Sequence, residues 1–289
     1  MVIRDAVEPP VVIFTDVDSH LRGMRVSGTA APNVGHLLAA ANVALVLCSA
    51  YTRAELEMIR NKCGVGDPFI CENGAAAFLP EFCCRIAIPH ARDVAGYQTV
   101  EFGRPYDQVV DMLHRTAEHL RIPVVGFSDM SIEQVACECH LSMLDARLAK
   151  LREYSELFRV VGDSLGARDR LHRALQWARL SCATQGQYDY VASTLDPGRA
   201  VRLLTRLYRR TLGHVITVAF AGNVDDSVLR HVDMPFVIDF DASPQFRRHG
   251  SGTRVTAFES ISEWFDRILA IVHEARQRFA AQRRGHVGA

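Results

Sequence analysis

Asp16 and Asp18 are the residues of this chain best suited to chemistry. They follow Val11-Val12-Ile13-Phe14 closely, and a single residue separates them. A continuous β-branched and aromatic run is the pattern of a strand buried on both faces of a parallel sheet. In open α/β sheets ligands bind outside the carboxyl ends of the strands, so both carboxylates fall where a ligand would sit. At this spacing one acid can reach a reacting substrate atom and the other its leaving group. Taken alone, the pattern also fits two aspartates capping a following helix or turn. Two further strand ends carry polar groups: Ser49 follows an apolar run over 43–48, and Asp225-Asp226 follow another over 215–220.

The elements that position these groups follow from periodicity. Asn33 is placed to cap a helix over 33–41, with Val34, Leu37 and Leu38 on one face. Residues 43–48 form a second buried strand. A helix over 52–62 starts at Thr52, with Glu55 completing a capping box and Leu56 and Ile59 sharing a face. Residues 68–71 give a third strand that runs into a Glu72-Asn73-Gly74 turn. Strand and helix therefore alternate over the first eighty residues, the signature of a parallel sheet.

Between residues 83 and 191 the texture differs. Pro89, Gly96, Gly103 and Pro105 punctuate short strands such as 98–102. An amphipathic helix over 106–120 follows, then a strand over 124–127 and short helices over 131–137 and 142–148. A strand over 157–161, a helix over 167–180 and a strand over 188–191 complete an α+β module inserted into the first domain. From Asp196 the α/β rhythm returns, with a helix over 198–212, strands over 215–220 and 236–238, and a helix over 262–279. The tail from Gln282 reads as frayed and basic.

Composition removes several function classes. The 289 residues are 48% hydrophobic and 23% charged, as in a globular protein, with a formal net charge of zero. Nothing in that balance points to nucleic acid or an anionic membrane as partner. No apolar run approaches the ~20 residues of a membrane helix. The first ten residues, with Arg4, Asp5 and Glu8, lack the apolar core of a signal peptide. A large core makes disulfides unnecessary for the eight cysteines, and neither Cys83-Cys84 nor Cys137-x-Cys139 has the spacing of a zinc set. A cytoplasmic, reduced protein is expected.

Four phrases together resemble the haloacid dehalogenase superfamily, and within it the mannosyl-3-phosphoglycerate phosphatases. They are Phe-Thr-Asp-Val-Asp over 14–18, Ser49-x-x-Thr-Arg-Ala-Glu55, Cys71-Glu-Asn-Gly-Ala75 and Arg152-Glu-Tyr-Ser-Glu156. The resemblance implies a Rossmann-like core, 1–82 and 192–289, with an inserted α/β cap over 83–191 that governs substrate specificity. It implies a phosphatase acting on a small phosphorylated sugar or a glycosyl-3-phosphoglycerate. Asp16 would form an aspartyl-phosphate, and Asp18 would protonate the departing oxygen and then activate water. Mg²⁺ would be held by the Asp16 carboxylate, the Asp18 carbonyl and an acid at Asp225 or Asp226. Ser49 would bind a phosphoryl oxygen, and Arg152 and Glu156 would read the organic part of the substrate.

The chain departs from that family in two phrases. A third-motif Asp-Lys-Gly-Lys-Ala is here Asp196-Pro197-Gly198-Arg199-Ala200, which leaves Arg199 as the cation expected at the phosphate. Lys62 and Lys150 are the only lysines in the chain. The acidic fourth motif reads Gly222-Asn223-Val224-Asp225-Asp226, with asparagine in place of the first acid. A second reading follows: a family member without phosphatase chemistry, which binds a sugar or sugar phosphate or uses Asp16 and Asp18 for other acid–base chemistry.

Overall fold

The computed structural model describes residues 8–16, 34–81, 88–162, 166–222, 227–239, 253–256 and 261–286. Asp18, Asn223, Asp225 and Asp226 lie outside them. The first strand, β1 (Val11–Asp16), is the middle of the parallel sheet. It pairs in parallel with β2 (Val43–Cys48) on one side and β11 (Ile216–Ala221) on the other. Helices α1 (Val34–Ala40) and α2 (Arg53–Cys63) flank β2, and β3 (Phe69–Cys71) continues the sheet. Beyond β11 lie β12 (Met234–Asp239) and β13 (Thr253–Thr256), both parallel.

Alternation along β1 shows why the sheet is covered on both sides. Val11 and Ile13 pack with Leu38, Leu56, Ile59 and Trp264, the last from α8 (Ile261–His286). Val12 and Phe14 pack on the other face with Val201, Leu204 and Leu207 of α7 (Pro197–Leu212). Each such fully buried side chain stabilises the fold by about 1.5–3 kcal/mol relative to exposure. The α/β architecture is therefore doubly wound, as the continuous apolar strands required.

Strand β4 (Ala76–Pro80) extends the large sheet beyond β3 with an antiparallel pairing, and β6 (Tyr97–Glu101) and β5 (Arg92–Val94), from the chain expected in the insertion, continue it. Phe78, Phe69 and Tyr97 stack across these strands and fix the junction.

A second, four-stranded antiparallel sheet has the order β7-β8-β10-β9, where β7 is Val124–Gly126, β8 Ser155–Val160, β9 Ser181–Gln185 and β10 Tyr188–Ala192. One face packs Phe158 and Val191 against α3 (Tyr106–Leu120) and α6 (Ala167–Trp177). The other meets the short helices α4 (Ile132–Glu138) and α5 (Met143–Ala149) through Phe127, Val135, Ala146 and Tyr188.

Local signals explain most element ends. Thr52 and Glu55 form the expected reciprocal capping box at the start of α2. Asp196 caps α7 by accepting from Gly198 N–H at 3.1 Å, and Pro197 takes the first helical position, where its missing N–H costs nothing. The final helix runs on to His286 rather than ending near 279. Alanine, glutamine and arginine after Phe279 favour helix even where the apolar period stops.

Candidate active site

Four strand ends and the start of α7 converge on one small cavity. Asp16 ends β1, Ser49 follows β2, Asn73 follows β3, Phe220 comes from β11 and Pro197 begins α7; with Cys48 and Val228 they line a cavity of about 70 Å³. Asp16 and Ser49 are thus brought together, as their positions in the sequence required. Pro197 sits in this lining, and the described lining residues include no lysine or arginine.

The loop after β3 is built for this role. Glu72 and Asn73 both adopt left-handed backbone, φ 46° and 55°. Asparagine tolerates that region, but for glutamate it stores strain of about 1–3 kcal/mol. Asn73 N–H donates to the Ser49 carbonyl at 2.9 Å and Glu72 N–H to the Tyr51 carbonyl at 3.0 Å. The Ser49 hydroxyl accepts from Tyr51 N–H at 2.9 Å, which fixes its rotamer. Gly74, at φ +89°, passes so close to α7 that an added Cβ would lie 2.4 Å from the Pro197 backbone. Any side chain there would push the loop off the start of α7.

What holds the strained loop is the inserted module. The fully buried Glu72 carboxylate accepts from Glu153 N–H at 2.8 Å, Tyr154 N–H at 3.1 Å and the Ser155 hydroxyl. Arg152 Nε lies 3.8 Å from the same carboxylate and donates to the Ser155 carbonyl at 3.1 Å. Its far end donates to the Ala50 carbonyl at 2.9 Å, and its guanidinium lies over the Tyr190 ring. Burial pushes the Glu72 carboxyl up, and Arg152 opposes that shift. Burial alone would lower Arg152, but Tyr190, Glu72 and Glu55 overcome it and raise the guanidinium above its ordinary value. Arg53 adds a second crossing, with Nε and Nη bound to the Glu153 carboxylate at 2.8–3.2 Å. The turn phrase 71–75 and the phrase 152–156, far apart in sequence, are therefore two halves of one joint.

The other expected site residues are placed less uniformly. Arg152 lines a second cavity of about 420 Å³ at the seam between the sheets. Glu156 does not. It faces the interior of the smaller module, fully buried, and accepts from Tyr106 Oη at 2.5 Å, Ser128 N–H at 2.8 Å and Ser128 Oγ at 3.1 Å. Gly126 makes room for it, since a Cβ there would lie 2.2 Å from Glu156 Oε1. Arg199 is exposed, and its guanidinium sits 5.1 Å from the centre of the Phe102 ring rather than in the Asp16 cavity. Lys150 is spent on the carbonyls of Phe127 and Met130.

Among the described residues no cluster of three acidic, histidine or cysteine side chains forms a metal site. Asp16, at the carboxyl edge of the sheet, offers the hard oxygen donor that a divalent cation prefers. Sequence reasoning did not single out Asn73 as a lining residue or Tyr190 as a partner of Arg152. The Asn-Gly pair was the available signal for the first; the second needed the strand register, which aligns Tyr190 with Leu157.

No protein-family model matches the chain. The chain is 33% identical over 229 residues to a glucosyl-3-phosphoglycerate/mannosyl-3-phosphoglycerate phosphatase of Methanococcoides burtonii, covering 78% of this chain and 84% of the relative. It is 28% identical over 253 residues to a mannosyl-3-phosphoglycerate phosphatase of Pyrococcus furiosus, covering 86% and 97%. Among solved structures, a haloacid dehalogenase-like hydrolase from Bacteroides thetaiotaomicron superposes with a TM-score of 0.57, covering 90% of this chain and 99% of that one. At 13% identity that likeness is one of fold.

Proposed function

Because the chain belongs to the glucosyl-3-phosphoglycerate/mannosyl-3-phosphoglycerate phosphatase family of the haloacid dehalogenase superfamily, we propose that it hydrolyses a glycosyl-3-phosphoglycerate or a related sugar phosphate at Asp16. The observation that carries this reading is the convergence of Asp16, Ser49 and Asn73 in one cavity at the carboxyl edge of the parallel sheet.

The Asp16 carboxylate attacks phosphorus as the ester P–O bond breaks, giving an aspartyl-phosphate. Asp18 gives its proton to the departing alkoxide, then takes one from the water that cleaves the intermediate. Two acids suit this route because a covalent intermediate splits one hard step in two and the proton must be both given and recovered. The Ser49 hydroxyl donates to a phosphoryl oxygen. The Asp16 carboxylate, the Asp18 carbonyl and an acid at Asp225 or Asp226 would hold Mg²⁺, which would supply positive charge against the phosphoryl oxygens.

The four-stranded sheet and its helices act as the cap, largely the 83–191 insertion, with the β5–β6 hairpin as its base on the core sheet. Arg152 meets the substrate side of the seam, and Glu156 supports the cap from within. Arg199 acts on approach of the anion rather than on the reacting phosphoryl. Phosphate release from glucosyl-3-phosphoglycerate with and without Mg²⁺ tests the reading: Mg²⁺-dependent turnover is expected, and none above background contradicts it.

Pro197 in the cavity favours one second reading, binding of a sugar phosphate without turnover. Saturable binding with no phosphate release by the wild type or by Pro197→Lys is its signature.

A further inference from the structure

A third cavity, of about 560 Å³, opens at the amino edge of the parallel sheet, the edge opposite Asp16. Its floor is where β11 and β12 begin, at Ile216 and Met234, and its walls are the last turn of α7 and the second half of α8. Phe220, at the other end of β11, lines the Asp16 cavity, so about 13 Å of strand separates the two. The volume is that of a small-molecule site, roughly 300–1,000 Å³.

The walls carry two exposed arginines, Arg209 and Arg278, and one acid, Asp233. The charge of Asp233 is already met, because its carboxylate accepts from Thr217 N–H and Thr217 Oγ1 at 2.8 Å each. Arg209 reaches that carboxylate through Nη2 alone, at 3.1 and 3.2 Å, which leaves its Nε and Nη1 without a partner among the described residues. Arg278 pairs with Glu274, one helical turn away and itself exposed; such pairs are weak and yield to a better anion. Both guanidiniums are therefore available to a carboxylate, whose two oxygens match the planar fork. The rest of the lining is apolar and aromatic. The rings of Phe279 and His214 stand at right angles with centres 5.0 Å apart, beside Met234 and Ile216. A bare inorganic anion would leave that surface wet, and an uncharged compound would leave the arginines unused.

We propose that this cavity binds a small aromatic carboxylate, its charge held by Arg209 and Arg278 and its ring against Phe279, independently of the reaction at Asp16. The probe is 4-fluorobenzoate, followed by fluorine NMR without Mg²⁺, with 4-fluorobenzamide as its uncharged counterpart. Saturable binding is expected with a dissociation constant of about 1 mM or below. The amide is expected to bind at least about tenfold more weakly, and Arg209→Gln and Arg278→Gln each to weaken the carboxylate about fivefold or more. No saturable binding, equal affinity for the amide, or affinity unchanged in both arginine variants overturns the proposal. Displacement by equimolar inorganic phosphate also overturns it, since the site would then read charge alone. A change in Asp16→Asn larger than in the arginine variants places the probe in the other cavity, with the same consequence.

Discussion

Glu72 of the core and Arg152 of the inserted module form a buried ion pair, with Nε 3.8 Å from the carboxylate and both side chains nearly inaccessible. The pair sits beside Asn73 and reaches the Ala50 carbonyl, so it links the position of the smaller module to both loops that carry Ser49 and Asn73. Removing one member of a buried pair leaves an uncompensated charge, at about 3–5 kcal/mol. Glu72→Ala is expected to destabilise by that amount in urea unfolding, and Glu72→Gln with Arg152→Met by less than the sum of the single changes. A loss under about 1 kcal/mol for Glu72→Ala contradicts the clamp.

Ser49 is expected to act on the transition state more than on binding. Ser49→Ala removes one preorganised donor, a loss of about 10²–10³ in kcat by analogy with oxyanion donors. Steady-state kinetics decide this: a raised KM with unchanged kcat assigns Ser49 to uniform binding instead.

Pro197 and Arg199 separate two effects of charge. Pro197→Lys places an ammonium at the Asp16 cavity and is expected to raise kcat, by up to about 10²–10³. Arg199→Ala, which empties the space over Phe102, is expected to lower kcat/KM and flatten its salt dependence while kcat holds. A kcat loss in Arg199→Ala comparable to that of Ser49→Ala would move Arg199 to the reacting phosphoryl.

Burial raises the Glu156 carboxyl above its ordinary value, against the opposing bonds from Tyr106 and Ser128. A raised carboxyl means that the native state favours the protonated form. Its contribution to stability is therefore full below the unfolded-state value and is lost as pH rises through the folded one. The stability of wild type relative to Glu156→Gln is expected to fall as pH rises above the ordinary carboxylate range, read as urea midpoints. A difference that grows with pH reverses the sign and the assignment.

The parallel core was legible because its strands are continuous apolar runs and its caps are local: Val11–Asp16, the Thr52–Glu55 box and the Asp196 cap each follow from neighbours in sequence. Asp16 and Ser49 were legible for the same reason, since strand ends define the ligand edge. What was not legible depends on distant chain. Strand β9, Ser-Cys-Ala-Thr-Gln, carries no apolar alternation and exists because β10 pairs with it. Strand β5 likewise takes its place only by pairing with β6. Glu156 is expected to face the substrate, yet β8 turns it into the module, where Gly126 leaves a space that only the folded register reveals. Arg199 keeps the charge of its phrase, but the aromatic ring of Phe102, distant in sequence, decides where that charge rests.

Asp16 as nucleophile is tested most directly by trapping. Wild type and Asp16→Asn are incubated with Mg²⁺ and glucosyl-3-phosphoglycerate, quenched in acid, and their peptides analysed for an added phosphoryl group. The expected result is an acid-stable, hydroxylamine-sensitive phosphoryl on the Asp16 peptide of the wild type, with phosphate release lost in Asp16→Asn. Turnover that survives in Asp16→Asn, or a phosphoryl group on another residue, contradicts it.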